Sequence, residues 1–248
     1  MSGRCSSTCR LQLLGCFAIR VDEVPVDLGG REEKVLALLA LRGPQRRSVL
    51  AGTLWPDTTE ERALSSLRAA VMRLRRTCPG LVDAGRCRIS LGAQVASDTA
   101  ELLGRLDEVD RLGDGPWAST SETLSALGGP ELLTGWYDDW VLEERDTLQH
   151  RQLRALESLA EVALMTGRAQ LAGALAERAI VIEPLMDSAQ ELLIRSYLMS
   201  GNQAAAVRVY RTYSRRLGRE LGIRPSPALT ELIGSTGFVP RPGPPVRV

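Results

Sequence analysis

The hydrophobic period of this chain changes several times along its length, and each change marks an element. Leu11, Leu13, Phe17, Ile19 and Val21 recur at every second residue, with Gln12 and Arg20 on the other side. Val24, Val26 and Leu28 repeat the pattern after a turn at Asp22-Glu23, so a small antiparallel sheet is predicted here. Gly29-Gly30 break it. Arg31 to Leu41 then switches to a 3.6-residue period and predicts a helix that buries Val35, Leu38 and Leu39. Gly43-Pro44 end that helix. Ser48 is placed to cap a short helix carrying Leu50, Leu54 and Trp55, which Pro56 stops. After Pro79-Gly80 the period returns to two. Leu81-Val82 and Cys87 to Leu91 flank a turn at Asp83 to Gly85, a short hairpin with Arg86 and Arg88 on its outer face.

Between these elements lies Glu60 to Arg76, EERALSSLRAAVMRLRR. Leu64, Leu67, Val71 and Leu74 share one side of a helix, and Arg62, Ser65, Ala69, Met72, Arg73 and Arg76 occupy the other. Thr58-Thr59-Glu60-Glu61 matches a capping box with Thr58 as N-cap. From Arg62 to Arg76 there are five arginines and no acid. A basic face of this kind is compatible with plain solvation or with a polyanion. The context favours the second: two helices joined by a short polar link, the second basic, then a hairpin, have the plan of a winged helix-turn-helix.

The rest of the chain is helical. Asp98 to Leu112 carries Leu102, Leu103, Leu106 and Val109 as its apolar set, and Gly113 to Pro116 breaks it. Glu122 to Leu127 is a short helix ended by Gly128-Gly129, and Val141 to Met165 is a long one. Met165-Thr166-Gly167 and Met199-Ser200-Gly201 then lie 34 residues apart, with Ala172 matching Ala206. Gly167, Ala172, Ala176, Ala179 and Pro184 space like the second half of a tetratricopeptide repeat. The second copy keeps Gly201, Ala206, Tyr210 and Tyr213, but has Gly218 where the proline would stand. Ser226 to Gly234 predicts a last helix. The fold class is therefore mainly α with small antiparallel β-sheets, a winged helix-turn-helix domain followed by a tetratricopeptide-like α-helical domain. Its parts are a flexible N-terminus at 1–10, a DNA-binding domain at 11–97, a helical domain at 98–236 and a flexible tail at 237–248.

Charge sharpens this division. The 248 residues carry a net charge of +1. Residues 1–100 hold 15 Lys+Arg against 10 Asp+Glu, and residues 101–248 hold 16 against 20. A basic first part and an acidic second part suit two different partners. All basic residues but Lys34 are arginine, a skew that a GC-rich coding bias also produces. The five cysteines include no CxxC pair, so no disulfide framework or zinc site is indicated, and Cys16 and Cys87 are placed in the core. No apolar run is long enough for a membrane span or an export signal, so a cytoplasmic (nucleoid-associated) protein is expected. Candidate chemistry is sparse. The lone His150 sits mid-helix, Asp138-Asp139 and Glu143-Glu144 suit a helix start, and no nucleophile, metal or phosphate-loop motif occurs. No catalytic residue, metal or cofactor is expected. Trp136, Tyr137 and Trp140 are read as locking the start of the long helix into the core.

The stretches REEKVLALLALRG, SVLAGTLWPD, ALSSLRAAVMRLRR, ELLTGWYDDWVLEERDTL and RRLGRELGIRPSP together resemble the Streptomyces antibiotic regulatory protein (SARP) family of transcriptional activators. The resemblance covers about Leu11 to Gly234. It implies an OmpR-type winged helix joined to a bacterial transcriptional activation domain of tetratricopeptide-like helices. It further implies binding to promoter direct repeats near the −35 region, as a homodimer on DNA, with recruitment of RNA polymerase for secondary-metabolite (antibiotic) genes. The family's larger members add an ATPase module, and its response-regulator neighbours a phosphoacceptor domain. This chain resembles the small two-domain type, so control by abundance rather than phosphorylation is expected.

By the same resemblance the helix from Thr59 to Thr77 enters a major groove. Arg62, Ser65 and Ser66 are then candidates for base edges. Arg73 and Arg76 also face DNA and hold phosphates, with Ser66 and Arg68 at the flanks. Arg46, Arg47 and Ser48 would grip the backbone from the preceding helix, where free N–H groups also favour phosphate. Arg86 and Arg88 would reach an adjacent groove from the wing. Asp57, Glu60 and Glu61 are candidates for contact with a sigma factor of RNA polymerase holoenzyme. The rival reading, from a different class, is a helical-repeat adaptor that binds a protein and no DNA.

Overall fold

The structure is a computed structural model that describes residues 8–112, 127–235 and Gly237. The expectations for residues 1–7, for the break at 113–116, for most of the short helix at 122–127 and for nearly all of the tail lie outside the described residues. The chain forms two compact units. Unit 1 is Met1–Gly104 with Pro130–Asp146; unit 2 is Arg105–Gly129 with Thr147–Val248.

Unit 1 opens with β1 (Cys9–Gln12), β2 (Ala18–Val21) and β3 (Val24–Pro25). The predicted turn lies between the last two, with Asp22 and Glu23 at φ 48° and 64°. Two consecutive left-handed residues twist a two-residue hairpin in the sense its strands need. The sheet is not purely antiparallel. A strand that period-2 reading missed, β7 (Val95–Ser97), joins β1 in parallel, giving the order β3-β2-β1-β7. Three helices follow the first strands: α1 (Gly30–Arg42), α2 (Arg47–Leu54) and α3 (Glu60–Thr77). Val35, Leu36, Leu38 and Leu39 of α1, Leu50 and Leu54 of α2, and Leu67 and Leu74 of α3 form the buried centre.

The wing is larger than a hairpin. β5 (Val82–Ala84) and β6 (Arg88–Leu91) form the expected hairpin, but Asp83 and Ala84, expected in the turn, belong to the strand, and the turn falls at 85–87. β4 (Gln45–Arg46) adds to the other side of β6, giving the order β4-β6-β5. The wing's base is closed by two glycines. Gly92 N–H donates to the Leu81 carbonyl at 2.9 Å, and Gly80 is left-handed at φ 101°.

Pro130–Asp146 packs into unit 1, although the sequence assigned it to the helical part. Backbone pairing explains this: Gly15 N–H donates to Glu131 (2.8 Å), Leu133 N–H to Leu13 (2.8 Å) and Thr134 N–H to Gly15 (2.7 Å). The Asp98 carboxylate accepts the amides of Leu13 (2.9 Å) and Leu14 (2.9 Å), fixing the same corner. Trp136 stacks on Phe17 at 5.9 Å and meets Trp140 edge-on at 6.3 Å. Tyr137 does not join them; it is 79% exposed. The paired acids are bound locally. Lys34 Nζ reaches Asp138 at 2.5 Å, and Arg42 reaches Glu143 at 3.3 Å and Glu144 at 2.6 Å.

Helix α4 (Asp98–Leu112) and helix α5 (Asp139–Met165) lead into unit 2. Helices α6 (Ala169–Ile182), α7 (Asp187–Met199), α8 (Gln203–Glu220) and α9 (Pro227–Gly234) complete the described part. Gly167 and Gly201, 34 residues apart, both turn the chain with positive φ, at 75° and 72°. The second repeat encloses Ile194, Ala206, Tyr210, Tyr213, Leu217, Leu229 and Ile233. Tyr213 donates to the Leu185 carbonyl at 3.0 Å, and Tyr210 bonds Thr230 at 3.1 Å. Both rings thus bury apolar surface and satisfy their hydroxyls.

Two cysteine expectations are reversed. Cys16 and Cys87 are exposed, whereas Cys9 and Cys78 are buried with sulfurs 4.0 Å apart. Burial, together with the neighbouring Cys78 thiol, pushes the Cys9 thiol up to about 11. Cys87 precedes β6 and lies in the turn, so its parity with Ile89 does not bring it into the core.

The wing base gives a direct test. A Cβ on Gly92 would sit 1.7 Å from the Gly80 carbonyl oxygen. Gly92→Ala is expected to lower unfolding free energy by about 2–4 kcal/mol. Gly52→Ala, in helix α2 with nothing within 4 Å, is expected to be neutral or stabilising by up to about 1 kcal/mol. Urea unfolding of the two variants decides; equal midpoints would show that the Gly80–Gly92 approach imposes no constraint.

Candidate nucleic-acid interface

Helix α3 places its residues by burial. Ala63, Leu67, Ala70, Val71 and Leu74 are buried. The alanines are small enough for close helix approach, a feature the leucine pattern alone did not reveal. Leu64 was expected in this set but is only half-buried, lying at the wing-side edge. Directly opposite the buried set run Ser65, Ala69, Met72 and Arg76; Ser65 and Arg76 are exposed and Met72 is 63% exposed. Arg62 is exposed on one side of this line and Arg68 on the other.

The expected capping box does not form. Pro56 directs the chain into a turn in which Thr58 Oγ1 donates to the Trp55 carbonyl at 3.1 Å. Thr59 becomes the N-cap, with extended backbone and no side-chain cap bond. Glu60 and Glu61 fall in the first turn, where acids suit the positive helix end. Asp57, Glu60 and Glu61 are all exposed. Ser48 is not a cap either. Gln45–Arg46 is drawn into the wing sheet, so α2 starts directly from Arg46, and Ser48 sits exposed in its first turn.

The arginines divide into two classes. Some are held by the protein itself. Arg47 donates through Nε (3.3 Å) and Nη2 (3.1 Å) to the Gly85 carbonyl, and Arg75 Nη2 donates to the Ala84 carbonyl at 3.1 Å. Two consecutive wing carbonyls are thereby tied to α2 and α3. Arg73 donates through Nε to Glu32 at 2.6 Å. Glu32 is 7% exposed in its side chain and Arg73 49%, so Arg73 neutralises a buried carboxylate on α1. Its Nε is thereby committed to α1, 41 residues earlier, which a helical wheel does not show. Arg47 is likewise a wing tether before it can be a phosphate ligand.

The others have no internal partner. Among the described residues Arg46, Arg62, Arg68, Arg76, Arg86 and Arg88 form no ion pair or side-chain hydrogen bond with the chain. Arg46 and Arg88 even stand opposite each other across β4 and β6, where like charges repel. Arg47, Leu64, Leu67, Arg68, Ala84, Gly85 and Arg86 line a cleft of about 560 Å³ between α3 and the wing turn. Its rim is cationic and its floor apolar. Sequence reasoning left out Arg75, because its role depends on a backbone carbonyl nine residues away. Met72, placed on the outer side by the sequence, was not named as a contact residue there.

No cluster of three or more His, Cys, Asp or Glu able to hold a metal occurs among the described residues. No helix there is long and apolar enough to cross a membrane.

Comparisons with known proteins agree with this architecture. The model of the family described as bacterial transcriptional activator domain matches residues 111–235. The chain is similar to the regulatory protein AfsR of Streptomyces coelicolor, 28% identical over 240 residues, covering 92% of this chain and 24% of that protein. It is also similar to the transcriptional regulatory protein MoaR1 of Mycobacterium tuberculosis, 24% identical over 243 residues, covering 90% of this chain and 77% of that one. A third relative is the transcriptional regulatory protein EmbR of Mycobacterium tuberculosis, 28% identical over 244 residues, covering 89% and 61%. The chain spans about a quarter of the length of AfsR from two Streptomyces species. A solved structure of Mycobacterium tuberculosis EmbR, in complex with a low affinity phosphopeptide, superposes with TM-score 0.66 at 22% identity over 92% of this chain and 64% of that one. At that identity the match concerns the fold.

The Glu32–Arg73 pair yields a stability prediction. Arg73→Met leaves a buried carboxylate without its cation and is expected to cost about 1–3 kcal/mol, below the figure for a fully buried pair because Arg73 is half exposed. Adding Glu32→Gln should recover part of the loss. Guanidinium unfolding of the single and double variants checks this; a silent Arg73→Met would mean that the pair does not brace α3.

Proposed function

The chain belongs to the bacterial transcriptional activator domain family, and from that premise we propose that it is a DNA-binding transcriptional activator of the SARP type. The observation that supports this reading best is the unpaired cation set on α3 and the wing. Six arginines that could have met carboxylates are left without one, while Arg73, Arg42 and Lys34 in the same unit are neutralised. Unpaired guanidinium groups on one face are what a phosphate backbone requires.

In this reading α3 lies in the major groove. Arg62 and Ser65 meet base edges near its start, with Ser66 beside them. Ala69 and Met72 offer small and apolar surface to the groove floor, where thymine methyls lie. Arg68 and Arg86 hold phosphate at the cleft between α3 and the wing, with Arg47 fixing the wing turn beside them. Arg46, Arg88 and Arg76 hold further phosphates, and Ser48 N–H lies in the free first turn of α2. Two copies occupy direct repeats near a −35 element, and RNA polymerase is recruited to secondary-metabolite promoters in the bacterial cytoplasm. Asp57, Glu60 and Glu61 form an acidic surface next to, and separate from, the cationic one; it is assigned to a basic patch on a sigma factor.

Two measurements test the proposal. In salt titrations of the full chain on duplex DNA, Arg76→Gln and Arg88→Gln should each flatten the slope of log affinity against log salt by about 0.9, and Arg73→Gln by much less. Binding that ignores salt would favour the helical adaptor instead. In reconstituted transcription, Asp57→Lys with Glu60→Lys and Glu61→Lys should abolish activation and leave DNA affinity equal or higher. Loss of DNA binding in that variant would refute the polymerase assignment.

A further inference from the structure

Residues 101–248 hold more acids than bases, yet helix α8 carries Arg208, Arg211, Arg215, Arg216 and Arg219 against a single acid, Glu220. Their placement is not random. Ala205, Ala206, Tyr210, Tyr213 and Leu217 are buried on one side. Arg208, Arg211, Arg215 and Arg219 are all exposed, at spacings of three, four and four, so they form one line on the opposite side. At 1.5 Å per residue the line runs about 16 Å.

Neighbouring like charges at these spacings destabilise a helix. The line contains three such neighbours, Arg208 with Arg211, Arg211 with Arg215, and Arg215 with Arg219. The helix's own acid stands at its far end, where Arg216 and Arg219 both reach Glu220 at 3.0 Å. The helix dipole favours cations in the last turn, where Arg219 lies, but not at Arg208. Arg215 Nε donates to the Arg211 carbonyl of its own helix. The helix therefore sets like charges side by side along one exposed face.

The chemistry of the line selects its partner. Protein–protein contacts centre on apolar and aromatic groups and exclude charge from the middle. Here the middle is guanidinium throughout, and α8 exposes no large apolar residue. Adjacent arginines stand about 5–6 Å apart, and one DNA strand carries a phosphate for about every 3.4 Å of axis, so each arginine has its own phosphate within reach. We infer that the exposed arginine line of α8 is a second DNA-backbone-binding surface, distinct from the winged-helix interface and blind to sequence. It gives the helical unit a direct, salt-dependent hold on duplex DNA, for which no base contact is needed.

The test uses the full chain and a long random-sequence duplex. Arg208→Gln, Arg211→Gln and Arg215→Gln are combined; glutamine keeps the helix propensity and none of the three is in the core. The salt slope should flatten by about 2.7, at about 0.9 for each phosphate no longer neutralised, with a thermal midpoint no lower than that of the parent chain, because self-repulsion is relieved. Arg208→Gln alone should flatten it by about 0.9 and serves if the triple variant does not fold. A parallel variant, Arg76→Gln with Arg88→Gln, should lose its own share and keep that of α8. An unchanged slope in the α8 variants with a reduced slope in the parallel variant overturns this inference and leaves the winged-helix reading standing. No change in either overturns both. A loss of self-association in place of a loss of DNA affinity would make the line an interface between copies, and also overturns it.

Discussion

One-sided burial of α3 is the constraint on which unit 1 depends. Leu67 and Leu74 are fully buried, and Ala63 and Ala70 let α1 and α2 approach between them. Each buried leucine contributes about 1.5–3 kcal/mol, enough to set the position of the helix without help from its outer side. That outer side is thereby released from any duty to the fold. It can carry uncompensated arginines, because the self-repulsion of a few exposed charges is small beside the apolar term. A helix held on both sides would have had no such freedom.

The same residue type is used in two ways, and geometry separates them. Arg47, Arg73 and Arg75 are fasteners: their fixed, multi-donor head groups tie α2 and α3 to the wing turn and α1 to α3. Arg46, Arg62, Arg68, Arg76, Arg86 and Arg88 project outward from the frame so fastened. The fasteners matter to the others. A wing whose turn carbonyls were free could tilt relative to α3, and the cleft that brings Arg68 near Arg86 would not keep its shape. Composition counts both classes alike, so a strong arginine bias says little until each guanidinium is followed to its acceptor.

What the sequence made legible follows from the same physics. Helices α1, α3, α4, α5, α6 and α8 were readable because burial on one face imposes a period over many residues. So was the exposed line of α3. Strands β4 and β7 were not, since two or three residues carry no period to read. The caps at Thr58 and Ser48 failed because a cap depends on the chain before it: the turn set by Pro56 takes the Thr58 hydroxyl, and the wing takes Gln45–Arg46. Cys87 shows the limit of parity, which holds within a strand and lapses in the turn beside it. Arg73 could not be told from Arg62 on a wheel, because Glu32 arrives from another helix. The packing of Pro130–Asp146 into unit 1 rests on backbone pairing with Leu13–Gly15, which side-chain patterns do not encode.

The helical repeats give the clearest case of a local departure with a physical consequence. In the first copy Pro184 follows α6, which ends at Ile182; proline cannot donate the next helical hydrogen bond and disfavours helix in the residue before it. The equivalent position 34 residues on is Gly218, and α8 runs past it to Glu220, so it reaches 18 residues where α6 has 14. Glycine is a poor helix former, but it blocks nothing. Those extra residues include Arg219 and the Glu220 that pairs with it and with Arg216. A proline at 218 would have ended the helix before Arg219 could come into line with Arg208, Arg211 and Arg215. The loss of a stop signal in the second repeat is thus what makes its arginine line a full three turns long.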